Sequence, residues 1–144
     1  MSTEQYLFQA ELDAFLAAPR QAIFATNRAG ESPQLSPVWY VWDDGVFYVS
    51  TSAHSLKARD IARDKQVSVC VDGGAGDYRY AAMSGEAEVA EYMSALQQEM
   101  RWRIIRKYHE SDESARAYFD ASADEESILI VIRPNKIVYK DLNS

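Results

Sequence analysis

The tripeptide Asp43-Asp44-Gly45 separates two runs, Gln34 to Trp42 and Val46 to Thr51, rich in β-branched and aromatic side chains. Asp-Gly accepts the positive φ angles of a two-residue turn, so the two runs are expected to fold back on each other as an antiparallel hairpin. Upstream, Ala22-Ile23-Phe24-Ala25-Thr26 is a short apolar run closed by the turn-rich set Asn27 to Ser32. Residues 21–51 therefore read as a three-stranded antiparallel meander.

Helical spacing precedes this stretch. Leu7, Phe8, Leu12, Phe15 and Leu16 recur on one side of Gln5 to Ala18, and Pro19 stops the helix because proline disfavours helical geometry in the residue before it. After the meander, His54 to Asp64 reads as a short helix and Val67 to Val71 as a strand. A glycine-rich loop, Asp72 to Asp77, leads into the strand-like Tyr78 to Val89, where Gly85 marks a bend or bulge. Glu91 to Tyr108 is the longest expected helix, with Met93, Leu96, Met100 and Ile104 on one face. Tyr118 and Phe119 suggest a second short surface helix within Glu110 to Glu126, and Ser127–Ile132 and Lys136–Tyr139 close the chain as strands. Hairpin-connected strands with helices between them suit a mainly β (α+β) antiparallel barrel in one domain, residues 1–144. Closure also removes exposed strand edges.

Charge and cysteine usage exclude several function classes. Fifteen Lys+Arg against 22 Asp+Glu leave a net charge of −7, unsuited to coating a nucleic-acid backbone. Residues 110–126 hold most of that excess: Glu110, Asp112, Glu113, Asp120, Asp124, Glu125 and Glu126 against Arg116. One cysteine, Cys70, forms neither an internal disulfide nor a thiolate cage, and between Val69 and Val71 it reads as a small buried side chain. The apolar runs are too short to span a membrane, and Met1 to Gln5 lacks the basic and apolar regions of a secretory signal. A cytoplasmic chain is expected. His54 and His109 lie far apart, so a histidine-ligated metal is not expected.

One segment stands apart electrostatically. His54 to Lys65 carries Lys57, Arg59, Arg63 and Lys65 against Asp60 and Asp64, and it follows the hydroxyls of Ser50, Thr51 and Ser52. Hydroxyls, a lysine and a helix start together suit a single phosphate. From charge alone, solvated residues paired with the two aspartates are the simpler reading. The second basic run, Arg101, Arg103, Arg106 and Lys107, reads as a solvated face whose natural partner is the acidic stretch after it. Tyr78-Arg79-Tyr80, beside the glycine loop, is suited to contact a planar ligand.

The residues Pro33-Gln34-Leu35-Ser36-Pro37-Val38-Trp39-Tyr40, Asp44-Gly45 and Tyr48-Val49-Ser50-Thr51 resemble the pyridoxamine 5′-phosphate oxidase-like superfamily of split β-barrels. The likeness continues through Ser55-x-Lys57-Ala58-Arg59-Asp60-Ile61-x-Arg63-Asp64-x-x-Val67-Ser68, Tyr78-x-Tyr80 and Gly85-x-Ala87-x-Val89. It is most similar to the branch of flavin/deazaflavin oxidoreductases that uses coenzyme F420. The chain departs from that branch at Asp60, where asparagine is common, at Ile61, where leucine is common, and at Lys65-Gln66, where Pro-Arg is usual. Asp60 would either face the phosphate site or cap the helix or pair with Arg63.

The resemblance implies a homodimer with cofactor sites at its interface. Lys57 would bind the cofactor phosphate, helped by Ser55, Ser50 and Thr51, and it reverses the solvated reading of this lysine. Ser36, Pro37 and Val38 would present main-chain groups to the pyrimidine edge of the ring, and Tyr78 and Tyr80 would reach in from the partner subunit. It implies no catalytic side chain, because hydride transfer belongs to the cofactor. The implied activity is a deazaflavin-dependent reduction of an unsaturated small organic substrate. FMN is the alternative cofactor, and a non-catalytic binder of flavin, deazaflavin or, less well, haem is the alternative class.

Overall fold

The computed structural model describes residues 2–143. Helix α1 (Thr3–Ala17) starts in a capping box, in which Ser2 accepts from the Gln5 amide while the Gln5 side chain accepts from the Ser2 amide. It ends where Ala18, ahead of Pro19, turns to extended backbone. Leu12, Phe15 and Leu16 are its buried residues.

Eight strands follow, all paired antiparallel: β1 (Ala22–Arg28), β2 (Glu31–Val38), β3 (Val41–Asp43), β4 (Val46–Ser52), β5 (Gln66–Asp72), β6 (Arg79–Ala90), β7 (Ser127–Ile132) and β8 (Lys136–Asp141). Helices α2 (Leu56–Arg63), α3 (Ala95–Lys107) and α4 (Asp112–Ala121) fill the connections. The sheet runs β2-β1-β5-β6-β7-β4-β3, with β8 joined to β6. Its end strands, β2 and β3, share no ladder, so the barrel stays split rather than closed.

Asp44 and Gly45 both take positive φ, 50° and 77°, and the β3–β4 hairpin forms as expected. The three-stranded meander does not. Backbone pairing breaks at Trp39-Tyr40, and residues 21–51 form two hairpins at opposite ends of the sheet path. The strand expected over 34–42 parts at those two residues, so only its last stretch, β3, meets β4, and the other edge of β4 is taken by β7, whose run Ser-Ile-Leu-Ile-Val-Ile is buried on both faces.

Gly85 bends β6. Upstream of it β6 lies between β5 and β8, and from Ala87 onward it pairs with β7. A Cβ at this position would sit 3.0 Å from the Arg133 carbonyl oxygen and 3.2 Å from Pro134 Cα. The bend lets one strand serve both halves of the barrel.

Inside the barrel Phe24, Tyr40, Phe47, Val49, Val69 and Ile132 pack with the buried residues of α1. Outside it, Met100 and Ile104 of α3 meet Val41, Leu129 and Val131. The helix begins at Ala95 behind the Ser94 cap, later than expected, so Met93 lies outside it and is 65% exposed, while Leu96 in its first turn is 40% exposed and not on the packed side. Cys70 is exposed too, contrary to expectation, because β5 alternates and turns its valines, not its cysteine, toward the core. No helix among the described residues is long and apolar enough to cross a membrane.

Candidate functional site

Where β2 ends, β4 finishes and α2 begins, the surface opens into a cavity of about 340 Å³. Pro37, Val38, Ser50, Thr51 and Lys57 line it, so five of the expected residues meet in one place. Prolines at positions 33 and 37 are tolerated because β2 is an edge strand. That edge leaves one row of main-chain groups beside the cavity without a strand partner.

Ser55 does not line the cavity but builds it. Its hydroxyl oxygen caps α2 by accepting from the Ala58 amide at 3.2 Å and also accepts the Thr51 hydroxyl at 3.2 Å. With both acceptances made, the Ser55 proton is left to donate elsewhere. Ser36, one residue before the cavity wall, has a buried hydroxyl with no partner. Lys57 is half-buried, and burial lowers its pKa from the ordinary lysine value. Among the described residues no carboxylate pairs with it.

Asp60 is turned away from this cation. It is 4% exposed, accepts the Thr26 hydroxyl at 2.7 Å and faces Arg63 at 3.6 Å. Of the roles open to it, pairing is the one the structure contains, with Thr26 as a second partner. Tyr80 stands on β6 and Tyr78 on the loop before it, and neither lines this cavity. Arg79 is not free for a ligand, because its guanidinium grips Asp77 at 2.6 Å and holds that carboxyl far below its usual range, helped by Asn143.

Other residues at the site went unrecognised in the sequence. Trp39 lines the cavity, its indole stacked on Tyr108 (4.8 Å, 6° between planes) and met at 5.7 Å by Tyr118, which also lines the cavity. Arg101 is 6% exposed, lines the same space and donates through Nη2 to the Phe119 carbonyl and the Ser122 hydroxyl. Burial pulls its pKa down. The expected solvated basic face is thus only half right. Arg103 and Arg106 pair with Asp43 and Asp112, whereas Lys107 is half-buried, donates to the Leu16 and Tyr40 carbonyls, and is pulled down to about 7 by burial and by Arg20. The available signal was helical position: Gln97 and Arg101 fall among Met100 and Ile104 on the side that packs.

A split antiparallel barrel with a cation, hydroxyls and an aromatic wall at one open cavity defines a class of small-molecule-binding domains. The pyridoxamine 5′-phosphate oxidase family model matches residues 8–141, and the chain belongs to that family, whose members are flavin-binding oxidoreductases and binding proteins. Solved structures agree in fold. The conserved hypothetical protein Rv2991 of Mycobacterium tuberculosis is 25% identical, with a TM-score of 0.76 over 98% of this chain and 85% of that one. An F420 reductase is 20% identical (TM-score 0.67; 88% and 94% covered), and HutZ, the haem storage protein of Vibrio cholerae, is 16% identical (TM-score 0.72; 90% and 92% covered). No curated protein matches the sequence.

Proposed function

We propose that the protein is a reductase that holds a deazaflavin, coenzyme F420, with its phosphate at Lys57 and passes a hydride to an unsaturated organic substrate. The observation that carries this reading is Lys57 itself. A half-buried ammonium beside the Ser50 and Thr51 hydroxyls, with no carboxylate partner among the described residues, is an arrangement a phosphate completes. The orphaned Ser36 hydroxyl next to the Pro37–Val38 main chain supports a polar ring edge at the other end.

When bound, a reduced deazaflavin supplies the hydride. The chain's residues do the rest: Lys57 and the hydroxyls anchor, Ser36 to Val38 orient, and Trp39 with Tyr118 excludes water from one side. No side chain is assigned as a catalytic acid. The run from Ser55 to Ser68 favours the deazaflavin over FMN. Haem has poor ligands here, since His54 is exposed beside Glu126, and His109 bonds the Ile105 carbonyl while packing on Trp39.

The reading includes a homodimer. In this reading the open cavity, about 340 Å³ and at the small end of the ~300–1,000 Å³ range of ligand sites, is completed by a second copy. The outer sheet face offers a surface for the second copy, with exposed Ile23 and Leu35 around an apolar groove that reaches Cys70 and Val138. Tyr78 and Tyr80 would then belong to the partner's cavity.

Titration of the purified chain with coenzyme F420 and with FMN, followed by tryptophan quenching, tests the proposal. Micromolar binding of the deazaflavin and markedly weaker binding of FMN is the expected result; failure of both overturns it. Lys57→Ala should cost about 1.5–3 kcal/mol of affinity, the worth of a charge-assisted hydrogen bond, or roughly 12- to 140-fold in Kd. Reoxidation of the reduced coenzyme by added acceptors separates a reductase from a carrier.

A further inference from the structure

The cavity holds two cations from different elements, and the proposed coenzyme phosphate accounts for only one. Lys57 stands on α2 beside the β4 hydroxyls; Arg101 stands on α3, on the side walled by Trp39 and Tyr118. Arg101 is only 6% exposed as a residue, yet no carboxylate among the described residues lies within 4.0 Å of its guanidinium. Asp120 and Glu125 act on it only from farther away, and Glu125 lies exposed among the cavity's residues.

The hydrogen bonds of Arg101 are also incomplete. Only Nη2 meets oxygen acceptors, the Phe119 carbonyl and the Ser122 hydroxyl, and Cζ lies 4.1 Å from the Phe119 ring centroid. Nε and Nη1 have no acceptor among the described residues. A guanidinium so held is fixed in orientation on one side and keeps a donor edge for a planar oxyanion. Trp39 adds the other recognition element. Tyr108 covers one face of its indole, and the ring still borders the cavity, where a flat conjugated frame would stack.

We propose that Arg101, with Trp39 and Tyr118, forms the substrate subsite, and that the substrate is a planar conjugated molecule carrying a carboxylate. This rests on the coenzyme reading for the word substrate, but the anion subsite itself does not need it.

The test uses a matched pair, anthraquinone-2-carboxylate and its methyl ester, titrated by calorimetry into the full chain with and without coenzyme F420. The acid should bind at least tenfold tighter than the ester. Arg101→Gln should bring the two within twofold while leaving coenzyme affinity unchanged, and Arg101→Lys should restore part of the preference. Equal binding of acid and ester to the wild-type chain overturns the inference, and that comparison stands even where Arg101→Gln does not fold. A preference that survives Arg101→Gln also overturns it. So does a tenfold loss of coenzyme affinity in that variant, which would give Arg101 to the coenzyme. Absence of coenzyme binding together with an Arg101-dependent acid preference would instead refute the coenzyme reading and leave the subsite in place.

Discussion

Replacing Asp60 separates its part in the fold from any influence on the proposed phosphate site. The carboxylate is 4% exposed and accepts the hydroxyl of Thr26, itself 1% exposed, at 2.7 Å. Asp60→Ala strands that hydroxyl, which costs about 1–3 kcal/mol, and leaves a small void that adds about 1 kcal/mol. The expected loss is therefore about 2–4 kcal/mol. With about 2.1 cal/mol/K of unfolding entropy per residue, 144 residues give ~0.3 kcal/mol/K, so Tm should fall by about 7–13 °C. Asp60→Asn keeps an acceptor for Thr26 and loses only the charge facing Arg63, whose side chain is 47% exposed. Such a pair is worth about 0.2–1 kcal/mol, or no more than ~3 °C. Melts at one fixed protein concentration, to hold any assembly constant, compare the three chains. Coenzyme titrations should agree within about twofold, because the carboxylate points to Thr26 and Arg63. Equal losses in the two variants would refute the role as acceptor. A tenfold gain in coenzyme affinity on removing the charge would show that Asp60 opposes the phosphate after all.

Three further outcomes are expected. Gly85→Ala pushes a methyl against the Arg133 carbonyl and Pro134 backbone, and overpacking of ~1–3 kcal/mol should lower Tm by about 3–10 °C in thermal melts. Lys107 titrates near 7 when folded and near 10.5 when unfolded. Between those values the unfolded chain binds more protons, so stability should rise with pH by at most ~1.4 kcal/mol per pH unit. Urea midpoints at pH 7 and 9 should show this rise, and Lys107→Met should flatten it. Leu35→Arg places a charge on the outer sheet face proposed to receive the second copy, so if that proposal holds, sedimentation should show dimers for the unmodified chain and monomers for the variant, with weaker coenzyme binding.

Local chemistry was the legible part of this chain. The Asp44-Gly45 turn, the Gly85 bend and the stop at Pro19 each follow from one residue's backbone limits, and each stands where expected. Strand partnership was not legible. Nothing within residues 21–51 indicates that β2 and β3 will part at Trp39-Tyr40 or that β7 will take the second edge of β4, because that partner is an apolar run far along the chain. The same limit hid half of the site. Lys57 and Ser50 lie near each other in sequence, where their chemistry suits a phosphate, whereas Arg101 joins them only after α3 packs against β3, β4 and β7. Cys70 shows the converse error: flanking valines suggested burial, but alternation along a strand places neighbours on opposite faces.

The insertion of β7 between β6 and β4 has a consequence during synthesis. Phe47 must wait for Ile132, and Val89 for Ile130, before the two sheet halves are joined. A nascent chain that has emerged only through α4 holds the β1–β2 and β3–β4 hairpins and the β5–β6 pair, with the neighbouring edge of β4 bare. Pairings of such long sequence separation form slowly, and bare edges invite pairing between chains. The last eighth of the polypeptide, from Ser127 on, therefore acts as the clasp of the barrel, and ribosome-stalled chains ending before Ser127 should be more protease-sensitive than chains that include the final two strands.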